Sequence, residues 1–182
     1  RSSRARQSNS PRSASSRSAR CGGADRIKAD SDTVTDISFY HLERSPLEQA
    51  LPKLLEKTLA AGKRALVLAS SEERVEALAQ TLWTYDAGSW LPHGTPKDGN
   101  PEEQPVWLST DPDTPNHATF LFLTDGATSE WVDAYERCFE LFDGRDPDAV
   151  QAARERWKTY KAAGHDLTYL QQTAQGGWEK KA

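Results

Sequence analysis

A nearly continuous apolar run, Arg64-Ala65-Leu66-Val67-Leu68-Ala69, stands in the first half of the chain. Such a run is typical of a strand in a parallel sheet, because helices cover both faces of that kind of sheet. The residues after it predict a helix that Ser70 caps, with Glu73 at its third position. The inner stripe of this helix is formed by Val75, Leu78, Ala79 and Leu82.

A similar unit precedes this run. Ile37-Ser38-Phe39-Tyr40-His41-Leu42 is rich in residues that favour strands. Ser45-Pro46-Leu47-Glu48 then supplies an N-cap, a proline in the first turn and a glutamate at the third position, which predicts a helix that ends at Gly62. Strand, helix, strand and helix in this order predict right-handed crossovers. The fold class is therefore α/β, with a largely parallel sheet flanked by helices.

The second half of the chain predicts further elements. Residues 106–108 and 119–123 have the composition of strands. Residues 129–142 are predicted to form a helix, and residues 146–164 a second one that ends at a glycine. Residues 165–182 are predicted to be a short tail. The apolar positions of the 129–142 helix are Trp131, Val132, Tyr135, Phe139 and Phe142.

Residues 1–30 differ in composition from the rest. They are rich in Ser and Arg and carry eight basic residues against two acidic ones, a net charge of +6. Residues 31–182 carry 15 basic and 25 acidic residues, a net charge of −10. Because the first residues hold little apolar surface, we predict that residues 1–34 are a disordered leader. Residues 35–182 are predicted to be a single domain.

Three interpretations of this leader remain open. A basic arm of this kind suits nucleic acid, and transit peptides have a similar composition. The chain also contains no Met, and a bacterial start codon can encode Val. If translation begins near Val34, residues 1–33 lie outside the native protein.

The composition of the chain excludes several classes of protein. No apolar run approaches the roughly 20 residues that cross a bilayer. Two cysteines, Cys21 and Cys138, do not make the disulfide framework of a small secreted domain. These features favour a reducing compartment, and we predict a cytoplasmic protein.

Catalytic and cofactor motifs are absent from the sequence. The first strand-to-helix turn, residues 42–46, lacks the glycines of a dinucleotide or phosphate loop. The second turn, residues 69–73, places carboxylates where a phosphate would bind. His93 suits a turn better than a catalytic role, and the histidines lie far apart: His41, His93, His117 and His165. We predict that the protein is not an enzyme and holds neither cofactor nor metal.

The last predicted helix carries a basic stripe beside an aromatic one. Arg154, Lys158 and Lys161 recur at a spacing that places them on one face. Trp157 belongs to the neighbouring apolar face, which also holds Val150 and Ala153 and has Tyr160 at its edge. This pairing suits a peptide that ends in carboxylates and an apolar residue. The alternative is a solvated helix face whose Trp packs inward.

The chain has six tryptophans. Trp107 and Trp131 lie at positions typical of the core. Trp83 ends the second helix and Trp90 begins a proline-rich loop, where a large ring is hard to bury. Exposed aromatic residues of this kind often anchor interfaces. The alternative is that these two rings pack on each other and close the domain.

With these residues placed, the chain resembles the chi subunit of bacterial DNA polymerase III holoenzyme from Ile37 to about Thr173. The resemblance implies a Rossmann-like α/β fold without nucleotide-binding function. The segments that carry it are Phe39-Tyr40, Gly62-Lys63-Arg64-Ala65-Leu66-Val67-Leu68, Ala79-Gln80-Thr81-Leu82-Trp83, Ser89-Trp90-Leu91-Pro92-His93 and Ala153-Arg154-Glu155-Arg156-Trp157-Lys158-Thr159-Tyr160-Lys161-Ala162-Ala163-Gly164.

The resemblance implies two partners. Members of this family belong to the clamp-loader assembly and bind the acidic C-terminal tail of single-stranded DNA-binding protein. Arg154 matches the position that grips the terminal carboxylate of that tail, and Lys158 matches the position that supports it. Trp157 stands where the family usually carries Tyr. Lys161 and Gly164 complete the predicted tail site.

A second family surface binds the psi subunit, which is not found in all bacteria that carry chi. The residues predicted for this surface, whether psi or another clamp-loader subunit binds it, are Trp83, Trp90, Leu91 and Pro92. Contact with DNA is then indirect. Two rival functions remain. One is a direct single-stranded DNA-binding module that uses the basic leader and the exposed tryptophans. The other is a degenerate α/β enzyme with a pocket near the carboxyl ends of the strands.

Overall fold

The apolar run at residues 64–69 contains a central strand of an eight-stranded sheet. A computed structural model describes residues 34–182, so residues 1–33 of the predicted leader lie outside the described part of the chain. The strands are β1 (Asp36–Leu42), β2 (Ala65–Leu68), β3 (His93–Gly94), β4 (Val106–Ser109), β5 (Phe120–Leu123), β6 (Arg137–Asp143), β7 (Asp166–Gln172) and β8 (Trp178–Lys180). The helices are α1 (Leu47–Ala60), α2 (Glu72–Thr84) and α3 (Pro147–Ala162), with short 3₁₀ turns at Pro101–Glu103 and Val132–Ala134.

The strand order is β3-β4-β2-β5-β6-β1-β7-β8. The pairs from β3 to β7 are parallel, and β8 alone among the described strands runs antiparallel to its neighbour, β7. This arrangement confirms the predicted α/β fold with a largely parallel, Rossmann-like sheet.

The two faces of the sheet have separate cores. On one face, Phe139 and Leu141 of β6 pack with apolar residues of α1 and α2. On the other face, Cys138 and Phe142 pack with Ala153 and Trp157 of α3. Neighbouring β6 residues therefore face opposite layers, as the alternation of a strand requires.

The predicted helix at residues 129–142 is wrong. Only a 3₁₀ turn forms at Val132–Ala134, and Arg137–Asp143 is strand β6. Phe139 stacks on Phe122 with ring centroids 4.4 Å apart. Because β6 is buried on both faces, both of its faces require apolar residues, so its apolar spacing does not identify a helix.

The predicted tail at residues 165–182 is also wrong in part, because it forms the β7–β8 hairpin. Strand β7 pairs with β1, and Trp178 of β8 packs edge-on against Tyr40 with ring centroids 4.7 Å apart. Most β7 residues are only half-buried. A strand this close to the sheet edge has a weak hydrophobic pattern, and its partner strand β1 lies far away in the sequence.

Both predicted helix caps need correction. α1 begins at Leu47 with Pro46 at the N-cap, and no side chain caps it. Ser45 Oγ instead accepts a hydrogen bond from Gln172 Nε2 at 2.5 Å. The N-cap of α2 is Ser71, one residue after the predicted Ser70, and its hydroxyl accepts from the backbone N–H of Arg74.

Candidate functional site

An open groove lies between α3 and the part of the sheet formed by β1, β6 and β7. Its volume is about 640 Å³. Aromatic side chains from the sheet form much of its floor, and basic side chains of α3 stand at its rim. The residues that line it are Phe39, Phe142, Val150, Gln151, Ala153, Arg154, Trp157, Lys158, Tyr169 and Ala182. Arg154 and Lys158 of the basic stripe on α3 therefore border a concave surface.

The aromatic wall is formed by rings from three elements. Trp157 packs edge-on against Phe39, with ring centroids 5.2 Å apart, and lies 6.1 Å from Tyr169 in a second edge-on contact. Edge-to-face pairs at these distances stabilise the fold beyond the burial of area. The indole of Trp157 packs inward against the core, and one part of it also lines the groove.

The cations at the rim are available to a ligand. Arg154 is exposed, and its guanidinium makes no hydrogen bond or ion pair with another residue of the 34–182 region. Lys158 Nζ lies 3.0 Å from Glu155 Oε1, but both side chains are more than half exposed. An exposed pair of this kind stabilises the protein by about 0.5 kcal/mol or less. Neither cation is therefore held in an internal ion pair.

Arg154 interacts electrostatically with Tyr169 on the floor of the groove. Burial raises the pKa of the Tyr169 hydroxyl, and the positive charge of Arg154 partly opposes that rise. The same hydroxyl shares a hydrogen bond of 2.6 Å with His41 Nδ1. This hydrogen bond holds the Tyr169 ring on the sheet face that carries the groove, below Arg154.

Two of the predicted tail-site residues lie outside the groove wall. Lys161 is exposed on the last turn of α3, and Gly164 follows the helix; neither lines the groove. Gly164 has φ +88°, and its N–H donates to the carbonyl of Lys161. A left-handed glycine of this kind terminates a helix. The structure thus gives Gly164 a role in ending α3.

The sequence places only part of the groove floor correctly. It predicts Phe39 on a strand, but Phe142 in a helix and Tyr169 in a tail, whereas all three lie on strands. The one local signal for Tyr169 was the β-favouring composition of Leu167-Thr168-Tyr169-Leu170.

The second predicted surface lies at the other end of the sheet. Trp83 is 58% exposed and Trp90 is 72% exposed, which confirms that these rings stand at the surface. The Trp83 ring packs on the ring of His93, with centroids 4.8 Å apart. Pro92 is half-buried, whereas Leu91 is 1% exposed and belongs to the core. Of the four predicted residues, Trp83, Trp90 and Pro92 are therefore accessible to a partner, and Leu91 is not.

Other aromatic and histidine positions also have clear environments. Trp107 is buried, as predicted, and Trp131 is partly buried. His93 is buried, with Nδ1 2.7 Å from the carbonyl of Leu91 and Nε2 3.1 Å from that of Ala79. It lies in β3 rather than in a turn, and its ring is occupied by backbone contacts.

A further cavity of about 560 Å³ lies at the carboxyl ends of β1 and β6. Five of its charged groups pair with one another. Arg74 binds Asp125 and Glu48 at 2.8 and 3.0 Å, and Arg145 lies 2.9 Å from Asp143. Among residues 34–182 no group of three or more His, Cys, Asp or Glu residues is placed to hold a metal ion. In the same range no helix is both long and apolar enough to span a membrane.

Comparison with known proteins gives a family match over most of the chain. Residues 34–168 match the model of the family described as DNA polymerase III chi subunit, HolC. A probable DNA polymerase III subunit chi of Rickettsia prowazekii (strain Madrid E) is 29% identical over 110 residues, covering 59% of this chain and 67% of that protein. The DNA polymerase III subunit chi of Escherichia coli (strain K12) is 25% identical over 142 residues, covering 74% of this chain and 96% of that protein.

Proposed function

This chain belongs to the DNA polymerase III chi subunit family, and on that premise we propose that it links the clamp loader to single-stranded DNA-binding protein. Chi is an accessory subunit of the polymerase and is not itself catalytic. In the proposed role the groove beside α3 binds the acidic C-terminal tail of single-stranded DNA-binding protein. The protein then acts in the cytoplasm at the replisome and meets DNA only through its partners.

The observation that carries this proposal is the unpaired guanidinium of Arg154 at the rim of an aromatic groove. A guanidinium binds a carboxylate through two parallel hydrogen bonds, which suits the terminal carboxylate of a tail. Phe39, Trp157 and Tyr169 offer an apolar wall for the last side chain of that tail. Lys158 adds a second cation one turn away, where it meets an acidic residue that precedes the end.

The net charge of −10 over residues 31–182 favours a peptide over a polynucleotide. Affinity for DNA depends on several Lys or Arg residues that neutralise phosphates, and an acidic domain repels a long polyanion. A local cationic rim on such a domain favours a short anionic segment instead.

Trp83, Trp90 and Pro92 form the surface that we assign to a clamp-loader subunit, psi or its equivalent. Exposed tryptophans are frequent anchors of protein interfaces. The loop before Trp90 is held in place, since Tyr85 and Ser89 hydroxyls both donate to Glu56 Oε1, at 2.6 and 2.8 Å. A fixed loop presents its aromatic ring with little loss of conformational entropy on binding.

A titration with a synthetic peptide tests the tail-binding proposal. The peptide carries several Asp residues before an apolar C-terminal residue with a free carboxylate, and tryptophan fluorescence reports its binding. We expect Arg154→Ala to lower the affinity by about 2–3 kcal/mol, because a charged hydrogen-bond partner is lost. Arg44→Ala is the control, since Arg44 is also exposed and does not line the groove. Equal affinities of the Arg154→Ala variant and the unmodified protein would place the site elsewhere.

Exposure of Trp83 and Trp90 also supports the rival function, direct binding of single-stranded DNA by base stacking. This rival predicts salt-sensitive binding of an oligonucleotide that weakens when residues 1–33 are removed. Running the oligonucleotide beside the peptide separates the two functions. Binding of the peptide alone favours the adaptor, and binding of the oligonucleotide alone favours the rival.

A further inference from the structure

The β7–β8 hairpin places the end of the described chain beside the groove. Lys181 N donates to the carbonyl of Tyr169 at 2.8 Å, and Tyr169 N donates to the carbonyl of Ala182 at 2.9 Å. Tyr169 and Ala182 both line the groove. The backbone at Lys181 is therefore hydrogen-bonded directly to the groove floor.

The pleat of β8 decides which of its side chains face the groove. Trp178 packs on Tyr40, on the sheet face that α1 and α2 cover. Successive side chains of a strand point to opposite faces, so Lys180 lies on the face of Trp178. Glu179 and Lys181 then lie on the α3 face, and their ion pair of 2.8 Å agrees with a shared side. Two adjacent lysines thus point in opposite directions.

We propose that Lys181 is a further peptide-binding residue of the groove, one that contacts an acidic residue upstream of the bound C-terminus. This inference rests on the proposed function. Arg154 and Lys158 of α3 line one side of the groove, and Lys181, which directly follows β8, is hydrogen-bonded through its backbone to Tyr169 on the other side. A peptide lying between them meets positive charge from both walls, which favours segments with several carboxylates over those with one.

Lys181 forms an ion pair with Glu179 of the same chain. The Lys181 side chain is 45% exposed and that of Glu179 is 58% exposed, so their pair stabilises the fold weakly. A carboxylate of the peptide can replace that of Glu179 with little change in the solvation of the ammonium group. Glu179 is therefore an internal competitor, and its removal is expected to strengthen peptide binding.

Substitutions of neighbouring residues in and just after β8 provide a matched test. With the acidic peptide described above, Lys181→Ala is expected to weaken binding about two- to fivefold, the range of an exposed ion pair. Lys180→Ala removes the same charge from the same strand on the opposite face, and its affinity is expected to match that of the unmodified protein. Glu179→Gln is expected to strengthen binding about twofold, because Lys181 is freed.

A second peptide, in which Asn replaces each Asp, isolates the contact. The Lys181→Ala effect is expected to vanish with this peptide, whereas the Arg154→Ala effect is expected to persist, since the terminal carboxylate remains. Equal effects of Lys181→Ala and Lys180→Ala, or a Lys181→Ala effect that survives in the Asn peptide, would overturn the role of Lys181. Failure of the unmodified protein to bind the acidic peptide would instead overturn the proposed function itself.

Discussion

Glu140 is the one acidic residue among residues 34–182 that is buried, with 1% of its surface exposed. It lies in β6, where Arg156 of α3 binds one of its oxygens and the other has no hydrogen-bond partner. Burial raises its pKa to about 7, against the opposing effect of Arg156. The pair ties α3 to the sheet, and hence helps to position the rim of the groove.

The raised pKa predicts how stability depends on pH. Between about pH 4.5 and about pH 7 the native state holds a proton on Glu140 that the unfolded state has released. The free energy of unfolding therefore falls as pH rises through this window, by about 3 kcal/mol from this group, and the loss is complete above the folded pKa. Urea denaturation across the window measures this slope.

Glu140→Gln is the comparison that isolates this group. The variant has no proton to release, so its free energy of unfolding is expected to change less with pH than that of the unmodified protein. Every other titrating group is shared by the two proteins. Parallel pH dependence in both would show that Glu140 is ionised, and paired with Arg156, throughout the window.

At the scale of elements, the sequence predicts those whose signals are local. The run at residues 64–69 and the stripe on α3 were recognised because one strand or one helix carries the whole pattern. The sequence of β6 predicts a helix instead, because a strand buried on both faces does not alternate between apolar and polar residues. The hairpin and its groove floor depend on pairing between β1 and β7, which lie more than a hundred residues apart, so no local pattern reports it.

Gln172 shows how such a distant contact fixes an element. Its Oε1 accepts from the backbone N–H groups of Glu43, Arg44 and Ser45 at 3.3, 2.8 and 3.0 Å, so the end of β7 holds the turn between β1 and α1. Gln172→Ala is expected to lower the free energy of unfolding by about 1–3 kcal/mol, since buried donors lose their partner. Chemical denaturation measures the loss.

Gln171→Ala is the control for this change. Gln171 makes one side-chain hydrogen bond, of 2.7 Å, to the partly exposed carboxylate of Glu43, and water can replace that bond. Gln171→Ala is therefore expected to lower the free energy of unfolding by no more than about 0.5 kcal/mol. Equal losses in the two variants would mean that the buried turn contributes nothing beyond a surface contact.

In the whole molecule, the two candidate surfaces lie at opposite ends of one sheet. The groove lies on the side of β7, near the β8 edge, whereas Trp83 lies in the last turn of α2, which packs on β3 and β4 at the other edge. The strands between them are buried and continuous. With the proposed peptide site at one edge of the sheet and the proposed protein site at the other, neither ligand blocks the other, which is what the proposed adaptor role requires.

This separation predicts that the two sites bind independently. Trp90→Ala is expected to weaken binding of a clamp-loader subcomplex by about 2 kcal/mol, the loss typical of an exposed aromatic anchor, and to leave the affinity for the acidic peptide unchanged. Arg154→Ala is expected to do the reverse, because sites this far apart with no shared partners contribute additively. Titrating the peptide with and without saturating subcomplex measures the coupling directly. Equal dissociation constants support the adaptor, whereas a peptide affinity that changes several-fold when the subcomplex is present would show that the sheet transmits binding from one edge to the other.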